Sequence, residues 1–520
     1  MVDDCKMRFL EAPQTRHYNA VPQMLLFNKP LWLVNMICFQ FNSCVALAAA
    51  LLAGGELRAH AAATPSLPVN RPNILLIVAD DQGAEMSCLG TPGLSTPNMD
   101  ALAASGVVFS AANVFCSYPS CSPSRASMLT GVYPHTHHIT RNVPEFFGAN
   151  AATWEGRLSP LWRTFQVPAS VPTLPELLNA SGYYTGISHK FHILPHREFP
   201  FDQWIPGTPA SVEKFIADAG GRPFFLMHNI GAPHRPFALW DRRATHKVAP
   251  ADVVVPDFLP DVPAVRRDWA DYLTAVQFTD EELGRVLAAL RRSGAYTNTI
   301  IIYTGDNGPA FQRGKASCYP FGLREPLIVA GPGVEKGRKT SALASLVDFA
   351  PTVLDYAGVP VPREMQGVTL RPLVEGRPGA TGERLIAGEK FGDLPPGRAY
   401  RECAVFDGRW YYIRRDHLDK PRNLNADDFQ KKPWGNLSYA ATRAAREQFP
   451  EKYRLMEEWE KGTNAESLFD ISTDFYGIHD LAGDPAHAAE LQHMRTAMDQ
   501  WLARTGDHWM TRSDQLESKK

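Results

Sequence analysis

The run Asn73-Ile74-Leu75-Leu76-Ile77-Val78, followed after Ala79 by Asp80-Asp81, sets the architecture. A continuous apolar stretch without polar alternation fits a strand covered on both faces, as in a parallel sheet. Three further stretches read the same way. Thr299 to Tyr303 runs on to Asp306-Asn307-Gly308. Pro223 to Met227 leads to Pro233-His234. Tyr183 to Ile187, less apolar, leads to Lys190 and His192. Helical patterns separate them. Thr173 to Ala180 stops at Gly182, and Arg267 to Arg292 keeps an apolar stripe through Tyr272, Val276, Leu283, Val286, Leu287 and Leu290 before Gly294 closes it. Strands alternating with helices predict an α/β fold, a large mostly parallel sheet flanked by helices. Ligands in such sheets sit beyond the carboxyl ends of the strands, and each predicted strand delivers polar residues at that end.

Between the first and second of these ends lies Cys121-Ser122-Pro123-Ser124-Arg125-Ala126-Ser127-Met128-Leu129-Thr130-Gly131. Pro123 suits a first helical turn, and Gly131 is a natural stop. The spacing predicts a short helix with Cys121 at its N-terminus, where free N–H groups and the helix dipole favour an anion. Arg125 adds a positive charge one turn along. Asp80, Asp81, Asp306 and Asn307 supply four oxygen donors on two strand ends, the ligand type that hard cations such as Ca²⁺ or Mg²⁺ take. Lys190, His192, His234 and Lys315 complete the candidate set. Histidines suit proton transfer near neutral pH.

The Cys-x-Pro-x-Arg run with its Leu-Thr-Gly end resembles the signature of type I sulfatases of the alkaline phosphatase superfamily. Lys190-Phe191-His192 is similar to the family's Lys-x-His motif, with His189 in place of the usual preceding glycine. Pro233-His234 is similar to its Pro-His after a buried strand. Lys315 and Tyr319, with Gly322, Arg324 and Pro326, follow Asp306-Asn307 at family-like spacing. The likeness runs from about Asn73 to Pro360 and returns at Ser467 to Asp470 and Asp480 to Pro485, with Phe475 where a proline is usual. Within the family, Cys121 to Gly131, Pro233 to Phe237, Phe258 to Asp261 and the tail from Trp501 to Trp509 resemble the heparan sulfamidase branch. The loop from Tyr133 to Gln166 departs from it.

The resemblance implies that a maturation enzyme oxidises Cys121 to formylglycine. It also implies that Asp80, Asp81, Asp306, Asn307 and residue 121 bind one divalent cation, usually calcium. Arg125, Lys190 and Lys315 would hold the sulfate charge, His234 with Lys315 would protonate the leaving group, and His192 would act as base when sulfate departs. The expected substrate is a sulfated carbohydrate, with the phosphate and phosphonate ester hydrolases of the same superfamily, or a non-catalytic glycan-binding relative, as alternatives.

Bulk properties narrow the classes. The 520 residues carry 53 Lys plus Arg against 55 Asp plus Glu, a net charge of −2, which speaks against a nucleic-acid binder. Residues 1–63 read as a leader. The apolar run Cys44 to Gly54 is followed by small residues from Ala59 to Ala63, the layout of a signal peptide, with Met24 and Met36 as other possible starts. Export to a periplasmic, secreted or lysosomal location is therefore expected, without stable membrane insertion. Residues 64–375 are expected to form the catalytic domain and 376–520 a smaller C-terminal one. In the latter, Cys403 to Phe406 and Arg409 to Ile413 flank a hairpin turn at Asp407-Gly408, and Leu491, Met494, Met498, Trp501 and Leu502 mark a closing helix. The eight cysteines (5, 38, 44, 88, 116, 121, 318 and 403) show no zinc spacing.

Overall fold

A computed structural model describes residues 71–145, 160–378, 384–392, 400–416, 418 and 436–507. The expected leader, Trp509 and part of the Tyr133 to Gln166 loop lie outside them. The strands are β1 (Asn73–Ala79), β2 (Gly106–Phe109), β3 (Val114–Phe115), β4 (Tyr184–Ser188), β5 (Gln203–Ile205), β6 (Phe224–Ile230), β7 (Thr299–Gly305), β8 (Leu327–Ala330), β9 (Arg338–Thr340), β10 (Ala344–Ser345), β11 (Ile386–Phe391), β12 (Arg401–Phe406), β13 (Trp410–Arg415) and β14 (Glu466–Asp470). The helices that matter below are α1 (Cys121–Thr130), α2 (Leu174–Ala180), α3 (Pro263–Arg292), α4 (Phe349–Ala357) and α5 (Ala488–Thr505).

Eight strands form one sheet in the order β5-β4-β6-β1-β7-β8-β2-β9. β1 sits at its centre, parallel to β6 on one side (Leu76 opposite Met227) and to β7 on the other (Leu76 opposite Ile302). The apolar run is continuous because both faces are covered. Ile74, Leu76 and Val78 enter one core layer, while Leu75 and Ile77 enter the other. The long helix α3 covers the second layer with Tyr272, Val276, Leu283, Val286, Leu287 and Leu290, the stripe read from the sequence. α1, α2 and α4 cover the first. The sheet is parallel except at β8, which runs antiparallel to both β7 and β2.

β11 to β14 form a four-stranded antiparallel sheet. The Asp407-Gly408 turn joins β12 to β13 as expected. Gly408 adopts φ 110°, and Asp407 Oδ1 accepts the Arg409 and Trp410 N–H groups. α5 buries Leu491, Met494, Met498, Trp501 and Leu502 against Val405, Tyr412 and Leu468. Each such side chain contributes about 2 kcal/mol of transfer free energy. Among the described residues, no helix is long and apolar enough to cross a membrane, and Cys88, Cys116, Cys121, Cys318 and Cys403 are free thiols.

Candidate active site

The polar residues after the strands converge at one edge of the large sheet. Asp80 and Asp81 follow β1, Asp306 and Asn307 follow β7, Lys190 and His192 follow β4, and His234 follows β6. α1 begins at Cys121, after an extended Ser120, and runs to Thr130. All ten of its residues are buried. Gly131 ends it in the left-handed conformation (φ 69°), donating its N–H to Ser127 O at 2.9 Å. A Cβ at Gly131 would lie 3.0 Å from the Met365 side chain, which would have to shift slightly to admit it.

Ligand atoms of Asp80, Asp81, Cys121 and Asp306 lie within 4.8 Å of one another. Cys121 Sγ stands 3.4 Å from Asp80 Oδ1 and 3.8 Å from Asp81 Oδ1. Asn307 donates Nδ2–H to Asp81 Oδ1 at 2.9 Å, and its own Oδ1 is buried without a hydrogen-bond partner. An orphaned amide oxygen beside three carboxylates is the donor set that a hard divalent cation satisfies. The residues present therefore fit such an ion.

Cations surround the cluster. Lys190 Nζ donates to both oxygens of Asp80, at 2.7 and 3.0 Å. Arg125 is fully buried. Its Nε bonds Asp306 at 2.7 Å and its Nη1 bonds Asn229 Oδ1 at 2.5 Å. Lys315 Nζ meets Asp81 at 2.8 and 2.9 Å and His234 Nε2 at 3.3 Å. His234 Nδ1 donates to the Arg235 carbonyl at 2.5 Å, and its Nε2 faces Lys315 and, at 3.6 Å, Asp81 Oδ2. Asp80, Asp81, Cys121, Arg125, Lys190, His234, Asp306, Asn307 and Lys315 thus belong to a single cluster.

Burial alone would raise the Asp80 carboxyl, but Lys190, then His234, Arg125 and Lys315, hold it well below the usual carboxylate range. Asp306 moves the other way. Its burial, with the charges of Asp80 and Asp81, outweighs Arg125 and raises it. Burial pushes the Cys121 thiol well above its ordinary value despite Lys190 and Lys315. The same cause, joined by Lys190 and Arg125, drops His192 well below the usual histidine value and keeps its imidazole neutral.

His189, where the family motif has glycine, adopts φ 57°. The backbone keeps the left-handed conformation that glycine takes freely, and the histidine bears the strain. His189→Val is expected to lose about 1–2 kcal/mol because a β-branched residue disfavours this region more. His189→Gly should stay within about 1 kcal/mol of the wild type. Urea unfolding of both variants measures this; equal stability of the valine variant would refute it.

Sequence reading missed Asn229 and Glu85. Asn229 lies inside β6, takes the Arg125 guanidinium on Oδ1 and donates Nδ2–H to Ser188 O at 2.8 Å. A polar residue interrupting the end of an apolar strand was the available signal. Glu85 accepts from Tyr272 at 2.8 Å, and Gly83 N–H donates to the same phenol at 3.1 Å, which ties the Asp80-Asp81 loop to α3. Burial outweighs the Tyr272 bond and lifts the Glu85 carboxyl to about 7. A folded value above the unfolded one adds stability that is complete below pH ~4.5 and is lost as pH rises through about 7. Glu85→Gln should therefore lose roughly 3 kcal/mol less than wild type between pH 5 and pH 9 in urea unfolding. Parallel pH profiles would contradict it.

The large, mostly parallel sheet with a polar cluster at its strand ends shares its fold with solved sulfatase and phosphonate monoester hydrolase structures. A sulfatase family model matches residues 72–212 and 208–359, and the chain belongs to the sulfatase family, the sulfuric ester hydrolases. It is 28% identical over 496 residues to the N-sulphoglucosamine sulphohydrolase of Homo sapiens, covering 86% of this chain and 93% of that protein. Among solved structures, a 2-O GAG sulfatase matches with a TM-score of 0.63 at 20% identity, covering 85% of this chain and 94% of the other. The phosphonate monoester hydrolase of Silicibacter pomeroyi matches with a TM-score of 0.57 at 19% identity, covering 84% and 96%. The two structural likenesses speak to the fold alone.

Proposed function

We propose that this sulfatase hydrolyses sulfate esters or N-sulfamates of sulfated carbohydrate, of the glycosaminoglycan type. Residue 121 would act as formylglycine, beside one divalent cation, Ca²⁺, held by Asp80, Asp81, Asp306 and Asn307. The observation that carries the reading is the meeting of Cys121 with three carboxylates and the orphaned Asn307 oxygen inside a ring of fixed cations. The carbohydrate part rests on human N-sulphoglucosamine sulphohydrolase, similar along most of its length.

When bound, the cation supplies Lewis acidity, and formylglycine supplies an aldehyde whose hydrate is an oxygen nucleophile. The chain's own residues do the rest. Arg125, Lys190 and Lys315 are fixed by carboxylates before substrate arrives, so they offset sulfuryl charge without reorganising. Lys315 and His234, 3.3 Å apart, form a pair that passes a proton to the departing oxygen or nitrogen. His192, neutral through burial and two neighbouring cations, receives a proton when sulfate leaves. The unmodified thiol suits none of this, because burial keeps it protonated.

Cys121 is 1% exposed and starts a buried helix, so a maturation enzyme must reach it before the chain folds. Export through the leader accords with that order. Release of sulfate and of phosphate from matched sugar and aryl esters tests the reading. Sulfate release should exceed phosphate or phosphonate hydrolysis at least a hundredfold in kcat/KM, about 2.7 kcal/mol. The reverse preference would move the chain to phosphonate or phosphate ester chemistry.

A further inference from the structure

Glu145 takes no part in the chemistry above, yet it stands beside it. The segment leading to it is fastened to the start of α1. Ser122 N–H donates to Asn142 Oδ1 at 3.1 Å, and Val143 N–H donates to Ser122 Oγ at 3.1 Å. Glu145 follows two residues later. Its carboxylate lies within electrostatic reach of Lys190, Arg125, Asp80 and His234, which come from four separate elements and meet at the candidate site. Its Oε1 is buried and has no hydrogen-bond partner among the described residues.

A carboxylate oxygen removed from water without a partner is costly, by about 1–3 kcal/mol or more. Here it also opposes the anion that the site is proposed to hold. The neighbouring cations are engaged elsewhere, Lys190 with Asp80 and Arg125 with Asp306. What would satisfy the Glu145 oxygen is a donor brought in by the substrate.

We infer that Glu145 is a specificity residue, whose carboxylate accepts a hydrogen bond from a hydroxyl or amino group of the sugar next to the sulfated position. The inference rests on the proposed sulfatase reading of the site. It selects sugars that are monosulfated at that place. A second sulfate on the neighbouring position would face the carboxylate and be rejected by like charge. The selection is independent of the sulfuryl group itself, which Arg125, Lys190 and Lys315 hold.

The test uses the enzyme with residue 121 converted and its cation present, on sulfated glucosamines and galactosamines, their hydroxyl counterparts glucose and galactose, and vicinally disulfated sugars. Glu145→Ala should lower kcat/KM for the best monosulfated sugar at least tenfold, while the inhibition constant of inorganic sulfate stays level or falls. Glu145→Gln, which removes the charge and keeps the shape, should raise the rate on disulfated relative to monosulfated sugar about tenfold. A larger loss on amino sugars than on their hydroxyl counterparts identifies the donor as the amine, and the converse as the hydroxyl. The inference is overturned if sulfate inhibition and sugar turnover weaken by the same factor, or if neither variant changes either quantity. A converted wild type that releases no sulfate from any sugar sinks the sulfatase reading and this inference together. An active wild type with indifferent variants sinks this inference alone.

Discussion

Cys121→Ala is expected to cut sulfate-ester turnover by at least a thousandfold while the protein stays folded. The proposed nucleophile derives from this residue, and alanine offers nothing to convert. The fold should tolerate the change because, among the described residues, Cys121 Sγ makes two weak hydrogen-bond contacts, at 3.4 and 3.8 Å, and alanine is a better helix former. The removed volume lies at a helix start facing polar groups, so no large apolar cavity opens. Turnover and thermal unfolding of the same preparation check both halves. Retained turnover would refute the proposed role of residue 121; loss of the fold would show that the thiol is structural.

Asp306→Ala carries the second large effect, and here stability and activity should fall together. Asp306 accepts from the fully buried Arg125 at 2.7 Å and from Asp81 N–H at 2.9 Å. Its removal leaves the buried guanidinium with Asn229 as hydrogen-bond partner and Asp80, 3.9 Å away, as its remaining carboxylate, which costs about 3 kcal/mol. It also deletes one of the proposed cation ligands. Asp306→Asn separates the two effects, since the amide oxygen can still accept from Arg125 while the charge is gone. The alanine variant should lose stability and calcium-dependent protection against unfolding, whereas the asparagine variant should chiefly lose the latter. Unfolding measured with calcium and with a chelator reads both. An alanine variant as stable as wild type would contradict the account of the Arg125 and Asp306 pair.

The parts of the fold legible in the sequence were those that burial writes twice. The β1 run, Phe224 to Met227 of β6 and Ile300 to Tyr303 of β7 are apolar because both faces are covered, and α3 keeps one face toward the core along its length. β8 carries the same signal at Leu327–Ala330, but a strand buried on both sides says nothing about the direction of its neighbours. Its antiparallel placement was therefore not readable. The site was legible where a strand hands its polar residues to the sheet edge, as at Asp80-Asp81 and Asp306-Asn307. Glu85 and Asn229 were not, because their roles arise from long-range contacts with Tyr272 and Arg125, and neither was Glu145, whose place depends on the bonds of Asn142 and Val143 to Ser122. The His189 substitution was legible as a departure from the family motif. The retained left-handed backbone needed the structure.

The central claim is that residue 121 works as an aldehyde rather than as a thiol. Mass analysis of the peptide spanning Cys121 to Arg125, from protein produced with a maturation enzyme, measures the converted fraction directly. The account predicts that sulfate release rises in proportion to that fraction and vanishes in protein carrying only the thiol. Full turnover by protein whose residue 121 is entirely unmodified cysteine would contradict it.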